Sequence, residues 1–247
     1  MKRRAIIIAN PGLEGTESYL GGVLKDISNY QSFLCSELGG CWLEGEIVKL
    51  IRPSVNRVRN TIQGLSNVDY ALIIFSGHGC HDTQRDSTVV DLGDEDIDSI
   101  ELRSGASKQT LILDCCRKKS PTTLMEARDM KFAKAAPRLN ASDCRMYYDR
   151  QIEACPKGLV VMHACSIDEV AGDDAQKGGY YSYNLLAESN AWPNTFQIDT
   201  STKYRILSTA SAHSLTVPRV QRISGNRQNP SIEKPRTDPY YPFCIVA

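Results

Sequence analysis

Apolar positions along the chain follow two rhythms that alternate. Residues 5–9, 46–51, 70–75, 110–114 and 159–164 form short, nearly continuous apolar runs flanked by turn formers. Their length and β-branched content predict strands buried on both faces, as in a parallel sheet. Between these runs the apolar spacing opens to three or four residues. That spacing predicts a helix over 18–38, with Leu20, Leu24, Ile27, Phe33 and Leu34 carrying its apolar positions. Pro53 sits where proline opens a helix, and Val55, Val58 and Ile62 fall on one face of it. Further helices are predicted over 180–188 and 204–215, and a last short strand over 243–246. Residues 88–92 and 97–100 flank the acidic turn Gly93-Asp94-Glu95-Asp96 and read as a hairpin. Residues 117–157 are polar, with prolines at Pro121, Pro137 and Pro156, and read as a connector holding one or two helices. No internal repeat or low-complexity tract interrupts the pattern. The alternation predicts an α/β fold: one twisted, mostly parallel central sheet of about six strands, with helices on both faces.

Composition narrows the function classes. A chain of 247 residues can bury roughly 75% of its unfolded surface, enough for one large domain. Its 29 basic and 29 acidic residues cancel, so no global field favours nucleic acid or an anionic membrane. The basic start at Lys2, Arg3 and Arg4 precedes an apolar run too short for a signal peptide, and no segment approaches the ~20 apolar residues of a membrane span. Nine cysteines, an odd number with none in a Cys-x-x-Cys pair, do not suggest a disulfide framework. A soluble, cytoplasmic protein is expected.

Chemistry concentrates in two segments. Phe75-Ser76-Gly77-His78-Gly79 ends one buried strand and Leu113-Asp114-Cys115-Cys116-Arg117 ends another. In an open α/β sheet reactive groups collect beyond the carboxyl ends of the strands. A histidine and a cysteine thus leave the sheet at one edge, the arrangement a thiol nucleophile and its base require. Alone, a cysteine ending a strand is most often an inert core residue. Side chains alternate across a strand, so one of Cys115 and Cys116 faces that edge and the other packs beneath.

These segments resemble the caspase-fold cysteine peptidases, and the aspartate before the cysteines is closest to the metacaspase branch. Lys25-Asp26 resembles the family's Asn-Asp pair. Ala164-Cys165-Ser166-Ile167-Asp168-Glu169-Val170-Ala171 resembles its Ala-Cys-x-x-Asp-Gln-x-Ala segment, and Gly178-Gly179-Tyr180-Tyr181-Ser182-Tyr183 the start of the following helix. The resemblance covers most of the chain and fails in the connector. It implies a single domain over 1–247, large-subunit-like over 1–120, with a variable connector over 121–157 and a small-subunit-like part over 158–247. It places the nucleophile two residues after Asp114, at Cys116, and the base at His78. Cys116 would attack the scissile carbonyl, and His78 would protonate the leaving amine and activate water. The N–H groups of Gly79 and Cys116 would form the oxyanion hole, each such donor typically supplying ~3 kcal/mol of transition-state stabilisation. Asp26, Ser76 and Asp114 match the first substrate pocket, where metacaspase carboxylates clasp a basic side chain by charge-assisted hydrogen bonds. Cleavage after Arg or Lys is the expectation.

Other readings compete. His78-Gly79-Cys80-His81 could suggest zinc, but the spacing lacks the gaps of a tetrahedral site. The loop 10–16 lacks the Gly-Lys-Ser/Thr ending of a phosphate cradle. The acidic run Asp91, Asp94, Glu95, Asp96 and Asp98 reads as a solvated hairpin. Several metacaspases are activated by calcium, which the resemblance leaves open here, although no spaced loop of oxygen ligands is present. No cofactor or metal is expected. A silent adaptor of the same fold, or a flavodoxin-like binding module, are the rival classes. Expected partners are a protein substrate and an upstream activator, with the chain a monomer or a homodimer. Domains of this kind resemble those of bacterial defence or cell-death systems. The connector holds ten basic residues, among them Arg117, Lys118, Arg145 and Arg150, and its polarity predicts an exposed, self-cleaved activation segment.

Overall fold

A computed structural model describes residues 1–118, 140–196 and 203–247. The first half runs β1 (Arg3–Asn10), α1 (Val23–Cys35), β2 (Ile47–Ile51), α2 (Val55–Gln63) and β3 (Tyr70–Gly77). Three short strands follow, β4 (Gly79–Asp82), β5 (Ser87–Asp91) and β6 (Asp96–Asp98), and then β7 (Lys108–Asp114). The second half holds α3 (Ala141–Ala154), β8 (Gly158–His163), the two-residue strands β9 (Asp173–Asp174) and β10 (Gly178–Gly179), and α4 (Tyr180–Ala191). It closes with β11 (Arg205–Ser208), α5 (Thr209–Ile223), β12 (Ser231–Glu233) and β13 (Pro242–Val246).

The main sheet has six strands in the order β12-β8-β7-β3-β1-β2, parallel except for β12. Alternation along each strand sends Ile7, Ile74, Ile112 and Met162 to one face, where α1, α3, α4 and α5 cover them. Ile6, Ile8, Ile73, Phe75, Leu111 and Leu113 face the other way, onto α2 and the β4–β6 hairpin. Each face thus buries its own core, which is why these strands read as continuous apolar runs. Strands β3 and β7 lie side by side, pairing Phe75 with Leu113 and Ser76 with Asp114. The segments carrying His78 and Cys116 therefore emerge next to each other.

Five sequence expectations need correction. The first helix begins at Val23, not at residue 18, because residues 16–22 form turns held by Leu20 N–H on Pro11 O. Pro53 does not open α2 but precedes its cap: the helix begins at Val55, and the Ser54 hydroxyl caps it by accepting from Arg57 N–H. The helix expected over 204–215 is strand β11 followed by α5. Residues 205–208 pair with the distant β13, and Ser208 caps the helix through Ser211 N–H. The last strand, β13, belongs to that small sheet; the sixth strand of the main sheet is β12. Of the connector, residues 119–139 lie outside the described residues. Residues 141–154 form a helix with one face packed and the other exposed: Cys144, Tyr148 and Ile152 are buried, and Arg145 is pinned by Glu46 and the Cys41 carbonyl.

Candidate active site

A cleft of about 780 Å³ opens at the carboxyl edge of β3 and β7. His78, Cys116, Gly79, Ser76 and Asp114 all line it. The strand-end logic therefore brings the histidine and the cysteine to one cavity. Cys115 faces away, is buried, and packs against Gly79, where an added Cβ would lie 2.8 Å from the Cys115 sulfur.

Both side chains are held by backbone. His78 Nε2 lies 2.6 Å from the Ser18 carbonyl. A carbonyl only accepts, so Nε2 carries the proton and Nδ1 keeps a lone pair. Cys116 Sγ accepts the Ala171 N–H at 3.4 Å and stands 3.8 Å from the Ala171 carbonyl. Burial raises its pKa, only partly offset by that N–H, so the resting group is the thiol.

The floor is acidic. Asp26, on α1, is fully buried and accepts the Ser76 hydroxyl at 2.6 Å and the Gly179 N–H at 3.1 Å. Its pKa is raised well above the carboxylate range by burial, with Asp114 adding like-charge repulsion. Asp114 accepts the Ser182 N–H at 2.8 Å, and burial pushes it up to about 6. Gly178 and Gly179 let β10 press onto both carboxylates; a Cβ at either position would collide with Asp26 or Asp114. Sequence reasoning missed a third acid, Asp173, which lines the cleft. Its Oδ2 accepts the Gly22 N–H at 3.0 Å, while its buried Oδ1 has no partner. Burial raises this group too. The signal was present in Gly172-Asp173-Asp174, just beyond the Ala164–Ala171 segment at the same sheet edge. The Ser18 carbonyl left no such trace, because any residue supplies one.

The other candidates separate. Cys80 lines the cleft, whereas His81 is buried beside Asp86, 3.5 Å from it. The His78–His81 stretch therefore does not converge. Asp91 and Asp96 sit opposite each other on β5 and β6 and also line the cleft. Among the described residues no group of three or more His, Cys, Asp or Glu is disposed to hold a metal. None of their helices is long and apolar enough to cross a membrane.

Comparison with known proteins is consistent in fold. The crystal structure of caspase-1 from Spodoptera frugiperda is similar, with a TM-score of 0.59 over 94% of this chain and 86% of that one. The two share 11% sequence identity, so the likeness speaks for fold alone. No curated protein sequence matches the chain. A family model for the caspase domain does match, over residues 2–241, and the protein therefore belongs to the caspase-domain family.

Proposed function

We propose that the protein is a cysteine endopeptidase that cleaves after Arg or Lys, with Cys116 as nucleophile and His78 as acid–base. The observation that carries this reading is the acidic floor beside the thiol: Asp26, Asp114 and Asp173 line or underlie the cleft that holds Cys116 and His78. A substrate guanidinium or ammonium entering there would meet the free Oδ1 of Asp173 and the carboxylate of Asp114. Its charge would offset the burial that raises both groups. Ser76 positions the Asp26 carboxylate beneath them.

The chemistry balances with the groups present. The Cys116 proton passes to His78 Nδ1 as sulfur bonds to the scissile carbon. The developing oxyanion takes hydrogen bonds from the Gly79 and Cys116 N–H groups. The imidazolium then protonates the departing amine, and the neutral ring activates the water that hydrolyses the thioester. A protonated resting thiol suits a regulated enzyme, since activation waits on substrate or on reordering of the segment after Cys116. Under this reading residues 1–120 and 158–247 act as large- and small-subunit-like parts joined by a processed connector. The protein serves a regulated proteolytic pathway, such as defence or cell death, under an upstream activator.

A peptide panel varied at the residue before the scissile bond tests this. Arg and Lys peptides should be cleaved and Cys116→Ala should cleave none. Preference for Asp or an apolar residue at that position would overturn the specificity.

A further inference from the structure

Behind the Cys116 segment, on the sheet face away from α1, lies a second cavity of about 80 Å³. It is bounded by β5, the 3₁₀ turn Ser99–Leu102, Leu111 of β7, Val161 and His163 of β8, and Glu233 of β12. Arg117, the residue after Cys116, reaches into its lining. Three lining residues carry a buried polar atom with no hydrogen-bond partner: Thr88 Oγ1, Arg117 Nε and His163 Nδ1. Thr88 is 2% exposed and Arg117 is 8% exposed. Groups so buried are rarely left unpaired, because an unmade bond costs the full desolvation of the group.

The charges sort by depth. The buried charge at the cavity is the Arg117 guanidinium; the His163 ring is buried with it, and His81 lies beside Thr88 as its cross-strand partner on β4. Arg103 stands exposed at the rim. The two carboxylates, Glu233 and Asp86, are also at the rim, with side chains 63% and 90% exposed. His163 Nε2 lies 3.0 Å from the Glu233 carboxylate, which only accepts. The Nε2–H is therefore committed to Glu233, and the neutral ring presents Nδ1 to the cavity as an acceptor. Burial lowers the His163 pKa, in keeping with that neutral form.

The cavity thus offers a guanidinium donor, a hydroxyl donor and one nitrogen acceptor. We propose that it binds inorganic phosphate, with Arg117 and Thr88 donating to its oxygens and His163 accepting from its P–OH. The acceptor sets the selectivity. Inorganic phosphate keeps at least one P–OH at neutral pH. Sulfate keeps none, and a phosphomonoester, with its second pKa near ~6, mostly none. Either would turn an oxygen lone pair against His163 Nδ1. An ion held on Arg117 lies one residue from Cys116, so occupancy stiffens the segment that carries the thiol. The inference concerns binding and stands whether or not Cys116 is a nucleophile.

Titration of the full-length Cys116→Ala protein by thermal shift and calorimetry tests it, using phosphate, sulfate and O-phosphoserine at matched ionic strength and neutral pH. Phosphate should stabilise saturably and the other two should not. Arg117→Gln should abolish the effect, and Thr88→Val should weaken phosphate about tenfold, the loss expected for one hydrogen bond to a charged partner. If Arg117→Gln does not fold, the exposed Arg103→Gln replaces it and should weaken phosphate severalfold. Equal stabilisation by sulfate and phosphate, no saturable phosphate effect, or binding undiminished in both Thr88→Val and Arg103→Gln would overturn the site.

Discussion

His78 Nε2 and the Ser18 carbonyl stand 2.6 Å apart, so the loop before α1 holds the imidazole in the tautomer that leaves Nδ1 free. In alkaline solution, ¹⁵N spectra of Cys116→Ala should show His78 protonated at Nε2. Gly12 supports this loop at φ +81°, and an added Cβ would sit 3.4 Å from both His78 Nε2 and the Ser18 oxygen. Gly12→Ala should therefore lower kcat/KM about tenfold by strain and displacement of the ring. An Nδ1-protonated ring would contradict the assigned roles.

Substrate charge should be read by Asp114 and Asp173. Asp114→Asn keeps an oxygen for the Ser182 N–H but loses the anion. The kcat/KM for arginyl substrates should fall about 100-fold in Asp114→Asn and in Asp173→Asn, the scale of one charge-assisted contact. Citrullinyl peptides, neutral and of the same shape, should be poor substrates that the variants cleave no more slowly than the wild type does. Equal losses on both substrates would show a structural effect and not a charge reader.

Much of this site was legible because its parts end buried strands. An apolar run followed by Ser76-Gly77-His78-Gly79 or by Asp114-Cys115-Cys116 fixes strand and edge together, and with them the cleft that His78 and Cys116 line. Asp173 was less legible because it follows no strand of the main sheet, and its position depends on Gly22 across the cleft. The exchange of β12 for β13 in the main sheet was hidden for the same reason. Three-residue β12 carries too little pattern, and apolar β13 pairs with β11 through contacts that no local rhythm records. The start of α1 was misplaced because residues 18–22 have helical spacing yet serve the loop that holds His78.

Burial of the acidic floor makes a pH dependence with a defined sign. Asp114 titrates near 6 when folded against an ordinary 3.8, so the native state binds the extra proton. The stability contributed by protonated Asp114 should therefore fall as pH rises from about 4 to about 6. His213, whose pKa burial lowers to about 4, contributes the opposite slope. Asp114→Asn in the Cys116→Ala background should remove the first contribution only, so its stability should rise more steeply with pH than that of Cys116→Ala. Asp26 and Asp173 shift in the same direction as Asp114 and add to its contribution. A bound guanidinium needs the anion, so arginyl kcat/KM should rise through the same window. The same pH slope in Asp114→Asn and in its Cys116→Ala parent would contradict the placement of this carboxylate.

Self-cleavage should be confined to residues 119–138. Arg145 is tied to Glu46 at 2.6 Å within packed α3, so bonds there are shielded. The fragments should co-elute, because β7 and β8 are adjacent strands of one sheet. Mass spectrometry should find ends at Lys119, Arg128, Lys131, Lys134 or Arg138, and Cys116→Ala should stay intact. Cuts at Arg145 or Arg150, or cleavage of Cys116→Ala, would count against this.

The central claim, that Cys116 is a nucleophile beside a pocket for basic side chains, is met most directly by covalent labelling with an arginyl peptide electrophile. Mass spectrometry of the intact protein should show one adduct, mapped to Cys116, absent from Cys116→Ala and strongly slowed in His78→Ala. Equal labelling of wild type and Cys116→Ala, or an adduct on Cys80 in place of Cys116, would contradict the account.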